Sequence, residues 1–244
     1  MQNLPCYALS AVVVLITITV HEYAHAFAAY KMGDPTAKNL GRLTLNPLKH
    51  LDPIGALCML FLHVGWAKPV PINARNFRKP RQAFAITALA GPAINLIIAF
   101  FSAFVYLALF AWFSQITFTN EFLYKLAENM LLFFYLLHVI NLGISLFNLI
   151  PVPPLDGSRI LGLILPPKTY FSIMRHERTI YFVLLGWLFV GDVISDALLS
   201  FGFIASNPLL SIFANILSLS NLLGYAINGL SWLMMSFWRL LPFI

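Results

Sequence analysis

Long apolar runs separated by short polar breaks dominate the chain. Leu4 to Tyr30, Ala83 to Phe113, Phe122 to Ile150 and Ile180 to Phe201 each exceed the roughly 20 apolar residues that a helix needs to cross a bilayer. The first run carries one charge before its end, Glu22, and it lacks the basic start and short core of a cleaved signal peptide. Beyond Phe203 the chain stays apolar but is interrupted by Asn207, Pro208, Asn215, Asn221, Gly224, Asn228 and Gly229, which predicts one span with a surface helix or two short spans. Between the first two spans, residues 31–82 form a long polar stretch with turn signals at Gly33-Asp34-Pro35, Asn46-Pro47, Asp52-Pro53 and Lys68-Pro69-Val70-Pro71. Inside it, Ile54 to Trp66 is apolar but too short to span, so a hairpin or re-entrant segment at the membrane face is expected. The expected fold is an all-α polytopic membrane protein of four to six transmembrane helices. Residues 1–165 form its core, which includes the 31–82 loop, and residues 166–244 add C-terminal helices.

Composition removes the soluble alternatives. Of 244 residues 60% are hydrophobic and 10% charged, against about 25% charged in globular domains, and mean hydropathy is +0.82. Disorder requires far lower hydrophobicity. Two distant cysteines, Cys6 and Cys58, make neither a disulfide framework nor a zinc ribbon and read as buried thiols. The formal charge of +6 does not imply nucleic acid, because the position of the charges explains it. Nine basic residues lie between the first two spans and four between the third and fourth, so 13 of 15 share one side, which the positive-inside rule makes cytoplasmic. The N-terminus is then expected outside.

Polar groups inside the spans carry the chemistry. The first span ends in His21-Glu22-Tyr23-Ala24-His25, an HExxH pattern. Positions four apart on a helix share a face, so both imidazoles can grip one metal ion, with Glu22 beside it to take a proton from water. With 6 His in this chain, roughly 0.002 such matches are expected by chance. The competing reading is that these residues face a wet cavity or pair with one another. A hydrolytic zinc site usually has three protein ligands and an open position. Asp156 follows the cytoplasmic end of the third span, in a proline-rich stretch expected to be extended, with Gly157 allowing a turn that aims the carboxylate inward. Asp156 is therefore the expected third ligand, and its alternative role is an N-cap for a helix starting near Ser158.

HEYAH on a first apolar helix, Gly33-Asp34-Pro35-Thr36-Ala37 through Gly41-Arg42-Leu43-Thr44-Leu45-Asn46-Pro47, Gly65-Trp66-Ala67-Lys68-Pro69-Val70-Pro71, Gly91-Pro92-Ala93-Ile94-Asn95 and the Asn148 to Gly157 segment together resemble the site-2 protease family of intramembrane metallopeptidases. The likeness covers about residues 10–165, and the compact members without PDZ or CBS domains are the nearest type. It implies that His21, His25 and Asp156 bind one zinc ion per chain, that Glu22 is the general base, and that transmembrane segments are cut within the bilayer. It also implies that Asn95 and Asn148 lie near the substrate; read alone, each is equally an interhelical hydrogen-bonding amide.

The protein is therefore expected to be a zinc endopeptidase of transmembrane protein substrates, in a bacterial inner membrane, with its site near the cytoplasmic face. Two rivals come from other classes. A non-proteolytic scaffold of the same fold would have no use for Glu22, and a metal transporter would carry repeats and a polar path through the whole bilayer, neither of which is evident. His138 reads as a packed or hydrogen-bonded histidine, and His50, Asp52 and His63 as polar loop residues. The extended, proline-marked 66–73 and 150–156 segments are expected to hold an unwound substrate strand by backbone hydrogen bonds.

Overall fold

The computed structural model describes residues 4–52, 55 and 67–241. Its elements are α1 (Leu4–Lys31), α2 (Pro80–Phe113), α3 (Glu121–Leu149), α4 (Gly157–Ile164), α5 (Pro167–Arg175), α6 (Glu177–Ser200), α7 (Pro208–Ile216) and α8 (Leu219–Trp238), with single turns at Thr36–Asn39 and Gly202–Ser206. Four of these helices, α1, α2, α3 and α6, are long and apolar enough to cross a membrane. The pair α7 and α8 passes the same test jointly but is bent by 103° at its break, so the undecided region beyond Phe203 is a broken span or re-entrant hairpin. This is an integral membrane protein.

Sequence punctuation sets the helix ends. Pro80, Pro167 and Pro208 occupy first helical positions, where a missing N–H costs nothing. Asn120, Asn207 and Ser218 accept first-turn N–H groups at the starts of α3, α7 and α8. α1 stops at Gly33, whose φ of +107° lets the Asp34 amide reach back to the Ala29 carbonyl at 2.9 Å.

α1, α2 and α3 pack on one another, and α8 packs on α2 and α3. Their interior is lined by Ala26, Ala29, Ala85, Ala88, Ala99 and Ala103, whereas Val12, Ile97, Phe101 and Phe110 face outward. In lipid, apolar side chains gain little by leaving the surface, and small residues that let backbones approach hold helices together. Polar groups turn inward for the same reason. Asn141 donates to Thr17 Oγ1 at 2.9 Å, and Ser145 donates to the Pro92 carbonyl at 2.8 Å. His138 bonds the Ala99 carbonyl at 2.8 Å and the Ser231 hydroxyl at 2.8 Å, the hydrogen-bonded core role expected of it.

Of the described residues between α1 and α2, Leu45 and Pro47 lie along the outer side of α1 beside Val12, Ile16 and Thr19, and Ala67 to Ile72 lie beside His21 and His25. The expected hairpin between Ile54 and Trp66 lies outside the described residues apart from Gly55, as do Cys58 and His63. Among the described residues on either side of it, Leu51 and Ala67 form an antiparallel bridge, with the Lys68 amide donating to the His50 carbonyl at 2.8 Å. The 150–156 segment corrects the expectation of an extended strand. It is a succession of tight turns, with Val152 N–H on Ile150 O at 2.8 Å and Leu155 N–H on Val152 O at 2.9 Å. Proline's fixed φ suits turn positions as well as extended ones, so three prolines did not by themselves select a strand.

Candidate active site

The last turns of α1 carry His21 and His25 on the face toward α2 and α3, only 6% and 7% exposed. The turn at 150–156 brings the Asp156 carboxylate to them. Its Oδ2 lies 3.1 Å from Nε2 of His21 and 3.1 Å from Nε2 of His25. The aspartate sits at the start of α4, yet its side chain caps no helical N–H, so the N-cap alternative fails. Burial alone raises a carboxyl, but the hydrogen bonds with both histidines outweigh it and hold Asp156 well below the usual carboxylate range.

His25 Nδ1–H donates to the Thr87 carbonyl at 2.7 Å, so Nε2 is the ring atom turned to the Asp156 carboxylate. A proton on Nε2 or a metal ion shared with the carboxylate satisfies that contact, and the spacing of the three side chains suits a metal ion. One ligand atom from each of His21, His25 and Asp156 lies within 4.8 Å of the others. Donors on a tetrahedral zinc with bonds of about 2.0–2.1 Å sit about 3.3 Å apart, close to the 3.1 Å spacings here.

Space for the cluster comes from Gly91 on α2. A Cβ there would lie 2.5 Å from His25 Nε2 and 2.6 Å from His21 Nε2, so only glycine allows both rings to face the aspartate. Gly157 is equally constrained, since its Cβ would meet the Leu149 carbonyl at 2.3 Å. Behind His21, the Asn95 amide faces Nδ1 at 3.1 Å through its nitrogen while its oxygen, buried, has no partner. Turning the amide end for end lets that oxygen accept from Nδ1–H, which again frees Nε2 for a metal.

A cavity of about 490 Å³ opens on the cluster. Its walls include His21, Glu22, His25, Asn148, Asp156 and Arg159, closed on one side by Ala67, Pro69, Val70 and Ile72. Glu22 thus shares the cavity with the His and Asp groups without belonging to the ligand set. Asn148 reaches the cavity, but Asn95 is fully buried behind His21 and is not among the walls. Thr87, Gly91 and Arg159 were not singled out as site residues from the sequence. Only the HExxH helix and the GPAIN segment, which contains Gly91, hinted at where their neighbours would be.

An all-helical membrane bundle around two buried histidines and an aspartate, with a further carboxylate alongside, is the architecture of membrane-embedded metallohydrolases. The family model of peptidase family M50 matches residues 9–190, and the chain belongs to that family. It is 42% identical to YwhC of Bacillus subtilis over 174 residues, 71% of this chain and 77% of that relative. It is 30% identical to Rip2 of Mycolicibacterium smegmatis over 165 residues, 64% of this chain and 56% of Rip2. To MJ0392 of Methanocaldococcus jannaschii it is 27% identical over 168 residues, 69% of this chain and 38% of the relative. YwhC and Rip2 are named as candidate zinc metalloproteases and MJ0392 as a zinc metalloprotease. No solved structure gives a significant match.

Proposed function

We propose that this member of the family is a zinc-dependent intramembrane endopeptidase in which His21, His25 and Asp156 hold one zinc ion per chain and Glu22 is the general base. The observation that carries this reading is the convergence of two Nε2 atoms on one Asp156 oxygen inside a cavity that also holds a free-standing carboxylate. Zinc in such a site supplies Lewis acidity toward water and a carbonyl oxygen. Glu22 takes a proton from the attacking water; the water oxygen adds to the scissile carbonyl carbon, the C–N bond breaks, and Glu22 returns the proton to the leaving amine. Thr87 and Asn95 hold the two imidazoles in the tautomer that presents Nε2. Asn148, whose amide nitrogen bonds the Ile144 carbonyl at 3.0 Å, keeps its oxygen available to a substrate amide at the cavity wall.

Substrates are transmembrane segments of membrane proteins, locally unwound so that a peptide carbonyl can enter the cavity. All the cavity walls fall between residues 21 and 159, which supports residues 1–165 as the catalytic core and 166–244 as an addition to it. The clustering of 13 basic residues on the two connections flanking the site supports a cytoplasmic-side active site and an outside N-terminus, and the similarity to proteins of Bacillus subtilis and Mycolicibacterium smegmatis supports a bacterial inner membrane. Glu22→Gln, purified beside wild type and offered a transmembrane substrate, is expected to keep one zinc per chain and lose about 1,000-fold or more in cleavage rate. Cleavage at the wild-type rate by that variant overturns the assignment, and zinc flux through a reconstituted bilayer would favour a transporter instead.

A further inference from the structure

Where the last turn of α1 meets the first turn of α2, a groove of about 460 Å³ opens that shares no lining residue with the active-site cavity. Lys31, Arg78 and Lys79 line it beside the apolar Met32, Ala83 and Ile86, and no acidic side chain is among its walls. Asp34, next to Gly33 in the groove wall, is fully buried, and its oxygens are taken by Thr36, Asn73 and Asn76. Among the described residues the three cations have no ion pair and no side-chain hydrogen bond; Lys31 Nζ stands over the Phe27 ring, 5.3 Å from its centre. Other basic residues of this region are used within the protein. Lys38 donates to the Tyr30 hydroxyl, the buried Arg42 holds the Lys68 and Pro69 carbonyls of the strap 67–72 that walls the active-site cavity, and Arg81 reaches the Leu165 carbonyl. Three cations held around one groove without an anion repel one another and draw an anion in.

The level of the groove in the bilayer says which anion. Lys31 ends one span and Pro80 begins the next, so the cations stand at headgroup level. Ile86 lies about 9 Å deeper along α2 than Pro80, and Phe27 about 6 Å deeper along α1 than Lys31, at 1.5 Å per residue. Both are exposed, at 47% and 42%. A groove that is cationic at its mouth and apolar toward the hydrocarbon matches the phosphate and first acyl carbons of a phospholipid, whereas a free phosphate has no use for the apolar part. A zwitterionic headgroup would bring its ammonium beside three cations and find no carboxylate, so a net-negative lipid fits better. The planar Arg78 guanidinium suits two phosphate oxygens at once, and the two lysines add point charges. No side chain caps the first turn of α2, so the positive end of its dipole adds to the same field.

We propose that this groove is a docking site for one anionic phospholipid of the surrounding leaflet, whose phosphodiester sits among Lys31, Arg78 and Lys79 and ties the end of α1 to the start of α2. The test is native mass spectrometry of the full-length protein released from micelles that contain equal amounts of phosphatidylglycerol and phosphatidylcholine. Wild type is expected to retain one phosphatidylglycerol, preferred over phosphatidylcholine by about tenfold or more. A cation beside an anionic headgroup is worth about fivefold, so Arg78→Gln should weaken that binding by about fivefold and Lys31→Gln/Arg78→Gln/Lys79→Gln by more than tenfold. Lys49→Gln/Lys68→Gln/Arg75→Gln removes three exposed cations of the same connection that do not line the groove, and its binding should stay within about twofold of wild type. Circular dichroism should match wild type in every variant. Competition on the wild-type protein needs no variant: neither inorganic phosphate nor an acidic peptide at the lipid's concentration should displace it. Equal losses in the two triple variants would mean diffuse surface charge and overturn the proposal. So would equal retention of the two lipids, or displacement by phosphate or by the peptide.

Discussion

Two polar clusters lie within the membrane-spanning region of this protein, and they are built on opposite principles. At the break between α7 and α8, the Asp192 carboxylate from α6 accepts from the Ser218 hydroxyl and, at 2.9 Å, from the Ser220 hydroxyl. Asn221 there donates to Ser195 at 3.3 Å and to Asn215 at 3.1 Å, and the Trp187 indole N–H takes the Leu217 carbonyl at 2.8 Å. Donors meet acceptors, and the knot is complete as it stands. At the end of α1 the arrangement differs: Nε2 of His21 and Nε2 of His25 meet one Asp156 oxygen at 3.1 Å each, and a cavity of about 490 Å³ opens on them. A self-contained cluster fastens helices. One set against a cavity is open to something that arrives from outside.

The largest break in this contrast should come from Asp156→Asn, which removes the anionic oxygen on which both imidazoles converge. Zinc affinity is expected to fall by about 100-fold or more and cleavage to vanish, measured by metal content after dialysis and by substrate turnover. Gly91→Ala comes next. Its methyl would enter the space of both Nε2 atoms, so zinc affinity should drop by about 10- to 100-fold while the helices still fold, as read by circular dichroism. Asp192→Ala is the mirror experiment. It strips two hydroxyls of their acceptor and should cost about 1–3 kcal/mol of stability in thermal unfolding, with zinc content and kcat per folded molecule within about twofold of wild type.

The smallest effect concerns pH. Burial works to raise the Asp34 carboxyl, but the bonds from Thr36, Asn76 and Asn73 outweigh it and hold it below its ordinary value. A carboxyl depressed in the folded state contributes stability that is fully present above its unfolded value of about 4 and is lost as pH falls through the folded value. The 31–52 and 67–79 loops should therefore loosen below about pH 4 in hydrogen exchange while α6 to α8 keep their protection. Asp34→Asn should remove that pH dependence.

Much of the site was legible because membrane chains use few charges. His21, Glu22 and His25 declare themselves by helical spacing, and Asp156 by its place after the third span. Four spans were likewise visible as apolar runs, with ends within a few residues of those observed. Other features were hidden for definite reasons. Residues 150–156 read as extended because proline's φ serves both strands and turns. Asn95, implied by family likeness to be near the substrate, is a buried partner of His21, and one residue's position on α2 does not say whether its amide looks toward a cavity or a ring. Arg42 looked like one more cytoplasmic basic residue among many, because its burial depends on a strap about 26 residues away in the chain.

By itself, the sequence determined the solvent of this protein, the number of long helices and the chemical types at the site. Those properties follow from local quantities: the hydropathy of a window, the 3.6-residue turn and the scarcity of ionisable groups. Only the tertiary structure decided which of those groups meet, where a missing Cβ leaves room for two imidazoles, and which loop carbonyls a buried guanidinium secures. Such facts depend on distances of a few ångströms between segments remote in the chain, and no periodicity encodes them.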